Sequence, residues 1–197
     1  MALDLVYFAS VSWGYTVQRP QQLARGLARH GRVLYVDPLG LRAPRLRDLP
    51  RLMERLRRRP EVLPQGLTVL PAPLASLPVP AHRLAQRANA RLLRKAIEGW
   101  MRREGVREPV VFLGTPQAAA YEAGKALRGR LLAYDCHDDF ALFHGKGTRI
   151  RKTEGLMAAE ADVVFATSTD LYARMAALNE ATELVPNAAD FAHFKDA

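Results

Sequence analysis

The stretches LDLVYFA (residues 3–9), RPQQLARGLARHG (19–31) and RVLYVD (32–37) decide the fold. The first and third are compact apolar runs typical of buried strands, and the second has leucines at helical spacing and ends at Gly31. Pro38 and Gly40 stop the second strand. A strand, a helix and a strand in this order form one βαβ unit, whose strands are expected to be parallel. The chain therefore opens with the pattern of a Rossmann-like fold.

The same alternation continues along the rest of the chain. Further strands are predicted in LTVLPAP (67–73), PVVFLG (109–114), LLAYDC (131–136), DVVFAT (162–167) and TELVP (182–186). Helical segments separate most of them, which predicts a doubly wound α/β domain with a parallel sheet of about six or seven strands and the first strand central. We expect one domain over residues 1–197, with the loops at 10–18, 114–117, 135–147 and 167–169 at one edge of the sheet.

A long helix is predicted over HRLAQRANARLLRKAIEGWMRREG (82–105), ending at Gly105. Its expected buried face carries Leu84, Ala88, Leu92, Ala96 and Trp100, and arginines cover the remainder.

The charge balance favours anionic partners. Arginine and lysine number 29 against 20 acidic residues, a formal charge of +9, and 24 of the 29 are arginines. Nucleic acid, acidic lipid and phosphorylated substrates all fit this sign. The single cysteine, Cys136, excludes an intrachain disulfide and favours a reducing, cytoplasmic compartment, and no stretch is long and apolar enough to cross a membrane. We expect a soluble protein or one peripheral at the inner face of the membrane.

The loop after the first strand is the first candidate binding element. It contains one glycine, Gly14, so the G-x-G-x-x-G signature of nicotinamide and flavin enzymes is missing although Asp37 ends the second strand. Trp13 and Tyr15 are interpreted in two ways, as aromatic platforms for a sugar ring or as packing against the helix that begins near Arg19.

The segment YDCHDDF (134–140) holds the densest chemistry, because Asp135, His137, Asp138 and Asp139 emerge together from a buried strand. His137 is the candidate catalytic residue, as a base or an orienting hydrogen-bond partner. The alternative is a helix cap at Asp138 or Asp139 with a surface histidine. No metal is expected, since the only paired spacing among the histidines is that of His137 and His144.

Four segments together resemble the N-terminal half of glycosyltransferase family 4. They are R-P-Q-Q-L-A-R-G-L-A-R-x-G-R-V-L-Y-V-D (19–37), Y-D-x-H-D (134–138), A-D-V-V-F-A-T-S-T-D-L (161–171) and L-V-P-N-A-A-D-F-A-H-F (184–194). The last is the most specific, because the family typically reads V-P-N-G-V-D-x-x-x-F there; Ala188 and Ala189 replace its Gly-Val. The loop at 10–15 also lacks the Gly-Gly pair that many relatives carry.

The resemblance implies a metal-independent GT-B enzyme that moves a sugar from a nucleotide-sugar to an acceptor between two Rossmann-like domains. It favours retention of configuration over inversion, and the sequence itself does not decide between them. This chain is then the acceptor-side domain, and the C-terminal donor domain is expected outside it. No cofactor is expected on this domain alone, the nucleotide-sugar being a co-substrate of the whole enzyme. The acceptor is expected to be a sugar, a lipid-linked sugar or a cell-envelope glycan. The candidate residues of the cleft are Trp13, Gly14, Tyr15, Arg19, Thr115, Asp135, Asp138, Asp139, Thr167, Ser168 and Asn187.

The basic stretches at 42–59 and 83–103 predict a surface for anionic membranes or a phosphorylated lipid acceptor, with a solvated charged face as the alternative. The candidate contacts are Arg45, Arg51, Arg55, Arg58, Arg91 and Arg94. Nucleic acid is less favoured, because the aromatic residues lie mainly in predicted strands. The rival function is a noncatalytic α/β module that binds a protein partner or an anionic membrane through these segments.

Overall fold

The computed structural model describes residues 3–39, 59–72, 83–143 and 147–189. Most of the basic stretch at 42–59 lies outside these residues, and so do Arg45, Arg51, Arg55 and Arg58. The same is true of residues 144–146 in the predicted loop and of residues 190–194 in the last quoted segment.

The described strands form one eight-stranded sheet in the order β3-β4-β2-β1-β5-β6-β7-β8. The strands are β1 (Leu5–Phe8), β2 (Val33–Val36), β3 (Glu61–Leu63), β4 (Leu67–Leu70), β5 (Val110–Leu113), β6 (Leu131–Cys136), β7 (Val163–Ala166) and β8 (Thr182–Leu184). Every neighbouring pair except β3 with β4 is parallel, and β1 lies between β2 and β5. The predicted fold class, a Rossmann-like doubly wound sheet, is confirmed.

Strand β3 is the one strand that the sequence pattern does not predict. It has three residues, pairs antiparallel with β4, and leaves Val62 78% exposed, so it shows no apolar periodicity. A tight turn at Pro64–Gly66 joins the two strands, and Gln65 and Gly66 both have positive φ angles there. The seven other strands coincide with the predicted runs.

The helices cover both faces of the sheet. They are α1 (Arg19–Leu27), α2 (Arg83–Glu104), α3 (Ala118–Ala126), α4 (Phe140–Phe143), α5 (Gly147–Glu160) and α6 (Thr169–Ala176). One core cluster joins α2, α3, α5 and α6 to the face that includes Val6, Leu34 and Val111. The other joins α1 to the opposite face, which includes Tyr7 and Tyr35. The alternating strand residues thus divide between two apolar layers, as expected for a sheet buried on both sides.

The buried face of α2 differs from the predicted one. Leu84 is 66% exposed, whereas Ala85, Leu93 and Ile97 are buried together with Trp100. A strict spacing of four residues advances beyond the 3.6 residues of a helical turn, so the row from Leu84 to Trp100 moves around the helix. Trp100 is the one member of this row that is fully buried, and Ala96 packs against the core while partly buried.

The amino-terminal start of β1 lies directly against Gly31. A Cβ built on Gly31 overlaps the backbone carbonyl of Leu3, which a rotamer change cannot relieve. By contrast, a Cβ on Gly26 in α1 meets nothing within 4 Å.

We therefore predict opposite effects for two glycine substitutions. Gly31→Ala should lower the free energy of unfolding by roughly 1–3 kcal/mol through overpacking. Gly26→Ala should raise it by about 0.5–1 kcal/mol, because alanine has the better helix propensity. Urea denaturation of both variants measures this, and equal stability of the two would contradict the packing described at β1.

Candidate functional site

An ion pair between Arg19 and Asp135 connects α1 to the carboxyl end of β6. The Arg19 Nη2 donates to Asp135 Oδ1 over 2.9 Å and Nε donates to Oδ2 over 3.2 Å, so the contact is bidentate. The Asp135 side chain is 0% exposed and that of Arg19 15% exposed. A carboxylate this deeply buried requires such compensation, since an unpaired charge in the interior is strongly unfavourable.

The pKa of Asp135 reflects the balance of these effects. Burial acts to raise the pKa of this carboxyl, but the hydrogen bonds and charges of His137 and Arg19 outweigh burial and leave the pKa lowered. Asp135 is therefore an anion at neutral pH, and its carboxylate can orient the side chains of Arg19 and His137.

His137 lies between Asp135 and Ser10. Its Nδ1 is 3.2 Å from the backbone oxygen of Asp135 and 3.4 Å from Oδ2 of the same residue, both acceptors, so the neutral ring carries its proton on Nδ1. The Nε2 lone pair then accepts from the Ser10 hydroxyl at 3.1 Å. The ring of Phe140 meets the imidazole edge-on, and the His137 side chain is 8% exposed. Asp135 thus fixes the Nδ1 side of the ring, while Nε2 is bonded to the hydroxyl of Ser10.

Two further candidate residues, Thr167 and Asn187, contact His137 and Arg19. Thr167 donates its hydroxyl to the backbone oxygen of His137 over 3.2 Å, and Asn187 accepts from Arg19 Nη1 over 3.2 Å. The structure thus brings together residues that follow β1, β6, β7 and β8 with the first residue of α1. We call Ser10, Arg19, Asp135, His137, Thr167 and Asn187 the edge cluster.

The other carboxylates beside His137 have different environments. Asp139 accepts from the backbone N–H of Ala141 over 3.2 Å at the start of α4, and also pairs with Arg151 and Arg174. Asp138 is exposed. Ser168 likewise caps a helix, since its Oγ accepts from the Leu171 N–H at the start of α6. Asp139 and Ser168 therefore each cap the N-terminus of a helix, and Asp139 makes its two ion pairs in addition.

The aromatic residues of the loop at 10–18 divide between the two interpretations. Trp13 packs edge-on against Tyr35 at 5.0 Å, and the Arg25 guanidinium of α1 lies over its ring. Its backbone N–H donates to Asp37 Oδ1 over 2.8 Å. Tyr15 is 66% exposed, and Gly14 beside it is also exposed. Trp13 therefore packs against the helix, whereas the ring of Tyr15 stays accessible to a ligand.

Thr115 lies at the same edge of the sheet, after β5. It is buried in a small depression at the carboxyl ends of β1, β2 and β5, lined also by Phe8, Asp37 and Gln117.

The candidate anion-binding arginines that the structure describes lie on α2. Arg91 and Arg94 are exposed, and Arg94 makes an i,i+4 ion pair with Glu98 at 3.4 Å. Within the described parts of the chain, no group of three or more histidine, cysteine or acidic side chains could hold a metal ion. No helix among those residues is long and apolar enough to cross a membrane.

Sequence reasoning missed Ser10, Glu154 and Arg174. Ser10 directly follows an apolar run, and that position was its only signal. Glu154 and Arg174 lie in the middle of helical patterns, where a charged residue is ordinarily solvated.

No family model matches the chain, and no curated protein matches it either. The topology is that of a Rossmann-like domain, and the likeness to a solved structure supports a GT-B-like fold. The solved structure of a sucrose-phosphate synthase from Thermosynechococcus elongatus is similar, with a TM-score of 0.58 at 15% identity over 97% of this chain and 93% of that chain. Sucrose-phosphate synthase is a GT-B glycosyltransferase. At this identity the likeness establishes the fold alone, and membership of family 4 stays a prediction.

We predict that Asp135→Asn destabilises the protein in a pH-dependent way. The variant leaves Arg19 without its charged partner, which should cost on the order of 3 kcal/mol at pH 7. Because the folded pKa of Asp135 is lowered, its contribution is complete above the unfolded pKa of about 3.9 and is lost as pH falls through the lower folded value. The two proteins should therefore converge in stability under acid conditions.

Urea denaturation between about pH 3 and pH 7 measures this convergence. Asp138→Asn is the matched control, because Asp138 is an exposed carboxylate in the same loop. A constant difference between Asp135→Asn and the wild type at every pH would contradict the assignment.

Proposed function

We propose that this chain forms the acceptor-binding half of a glycosyltransferase that moves a sugar from a nucleotide-sugar to an acceptor hydroxyl. The GT-B-like fold supports the class of enzyme. The observation that carries the proposal is the 3.1 Å contact between the His137 Nε2 and the Ser10 hydroxyl at the carboxyl edge of the sheet. Open α/β sheets bind their ligands at this edge.

The acceptor hydroxyl takes the place of the Ser10 hydroxyl. Both groups are neutral donors of the same kind, so exchanging one for the other leaves His137 in the same tautomer. Asp135 fixes the ring through Nδ1, and Arg19 balances the charge of Asp135, so no net charge has to be compensated by the ligand. A neutral polyhydroxyl group such as a sugar suits this arrangement.

His137 then orients the acceptor hydroxyl, and its Nε2 lone pair takes up the hydroxyl proton as the acceptor oxygen bonds to the sugar and the bond from the sugar to the nucleoside diphosphate breaks. A positioned imidazole contributes more in the transition state, where this hydroxyl becomes acidic, than in the ground state. Tyr15 offers an exposed ring on the same edge for stacking against a sugar face. The donor nucleotide is expected to be held by the second domain, as the family resemblance implies.

We predict that His137→Ala lowers sugar transfer by roughly tenfold to a thousandfold in an enzyme that joins this chain to its donor-binding half. The variant should fold with some loss of stability, because it loses the contacts of the imidazole with Asp135 and Phe140 while Arg19 still pairs with Asp135. The isolated chain should transfer no sugar, since it cannot hold both substrates together. Release of nucleoside diphosphate from a panel of nucleotide-sugars measures transfer.

The matched control is His30→Ala, an exposed histidine that precedes β2 at the opposite edge of the sheet. It should retain wild-type kinetics. Wild-type kinetics for His137→Ala, or sugar transfer by residues 1–197 alone, would show that the chemistry lies elsewhere.

A second function, binding to an anionic membrane surface, is favoured by one observation on α2. This helix carries seven basic and two acidic residues. Arg83, Arg87, Arg91 and Lys95 are exposed at intervals of four residues, so they form one cationic row along the helix. The exposed Leu84 adjoins the start of this row. A cationic row beside exposed apolar surface suits an acidic lipid headgroup layer.

We predict that the protein binds vesicles of phosphatidylglycerol better than vesicles of phosphatidylcholine, with affinity falling as salt rises. At about 1 kcal/mol per basic residue, changing Arg83, Arg87 and Arg91 to Gln should weaken binding by roughly a hundredfold. The same changes at Arg107, Arg128 and Arg130, which are exposed outside α2, provide a control of equal charge. Equal co-sedimentation with both lipids would eliminate the membrane function.

A further inference from the structure

A second polar cluster lies behind the edge cluster, and Arg174 of α6 is at its centre. Arg174 Nη1 is 3.1 Å from Glu154 Oε2 and 3.4 Å from Asp139 Oδ2, and its Nη2 is 3.9 Å from the Cys136 sulfur. One guanidinium therefore joins α5, the end of β6 and the loop that follows β6. A planar fork with several donors can make these contacts at once, which a lysine ammonium on its single stem cannot.

Glu154 is the buried anchor of this cluster. It is 3% exposed and accepts from the Tyr134 hydroxyl over 2.9 Å. Burial raises the pKa of Glu154, against the opposing effects of Tyr134 and Arg174. Arg174 is thus held on its inner side by a group that the core has fixed in place.

The contacts of Arg174 lie on both sides of His137 in the chain. Cys136 precedes His137, and Asp139 follows it by two residues. Asp139 in turn caps α4, whose first residue, Phe140, places its ring against the imidazole. His137 therefore lies in a short segment of chain that Arg174 contacts at two side chains, those of Cys136 and Asp139.

We propose that Arg174 is a positioning residue that holds the backbone on both sides of His137, so that the imidazole stays between Asp135 and Ser10. It reaches the imidazole through Asp139, Phe140 and Cys136 without touching it. The relevance of Arg174 to sugar transfer rests on the proposed function, whereas its effect on the histidine ring does not.

The test is the tautomeric state of His137, observed by NMR in the chain labelled with ¹⁵N-histidine. The sequence has five histidines, and a His137→Gln variant assigns the signal. In the wild type, the signal of the neutral ring should be that of a ring protonated on Nδ1. This differs from the tautomer that a free histidine favours, so loss of positioning changes the spectrum.

The decisive variant is Arg174→Met combined with Glu154→Gln. Removing Arg174 alone leaves a buried carboxylate without a partner, which endangers folding. Glutamine at 154 removes that charge and still accepts from Tyr134. In this double variant the His137 signal should move toward a mixture of the two tautomers. In the enzyme that joins this chain to its donor-binding half, the kcat for sugar transfer should fall at least tenfold, with little change in the KM for the donor.

Arg151→Met is the matched control, because Arg151 contacts Asp139 from the exposed side and Arg174 stays in place. It should leave the His137 signal unchanged. Should the double variant not fold, Arg174→Lys decides, since it keeps the charge near Glu154 without the fork; its His137 signal should move in the same direction.

An unchanged His137 signal in a folded variant would overturn the proposal. If the signal moves and the wild-type joined enzyme transfers no sugar, the proposed function fails and the positioning role of Arg174 stands.

Discussion

The ion pair between Arg19 and Asp135 is the interaction on which the carboxyl edge of the sheet depends. Asp135 is a fully buried carboxylate at the end of a central strand, and its charge is compatible with the interior because Arg19 and His137 both bond to it. The same guanidinium also reaches Asn187 beyond β8. One pair therefore fixes the start of α1, the tautomer of His137 and the segment after the last strand. The other residues of the edge cluster are arranged around the carboxylate of Asp135, because a buried charge without a partner would strongly destabilise the fold.

The sequence predicted the features that depend on local pattern. Apolar runs identified seven strands, and because parallel strands end at one edge, the proximity of the loops after β1, β6 and β7 followed from them. Features without a local signal were missed. Strand β3 is too short and too exposed to show an alternation of apolar and polar residues. Which face of α2 is buried depends on how the helix packs against the sheet, and the sequence spacing alone does not give this packing. The contact of Arg19 with Asp135 joins residues 116 positions apart, so no spacing rule could pair them.

The fold and the site support the function in different ways. The likeness to sucrose-phosphate synthase concerns the path of the backbone, and many activities share Rossmann-like sheets. The edge cluster is specific to the side chains of this chain. Its chemistry, an imidazole oriented by a buried carboxylate and facing a hydroxyl, is what directs the proposal toward the transfer of a group to a hydroxyl acceptor. The second cluster, at Arg174, lies further from the edge. It supports the site indirectly, since a histidine side chain keeps a defined position only when the chain that carries it is fixed.

The short hairpin at β3 has a consequence for how the protein behaves in a crowded solution. A parallel sheet that ended at β4 would present a row of unpaired backbone groups to other chains, which is a template for aggregation. Strand β3 covers that row with three residues, and Pro60 and Pro64 flank it directly. Proline has no N–H to offer a further strand, and Glu61 adds a charge to the outermost position. Among the described strands, the hairpin thus gives this side of the sheet an end that a foreign strand cannot readily extend.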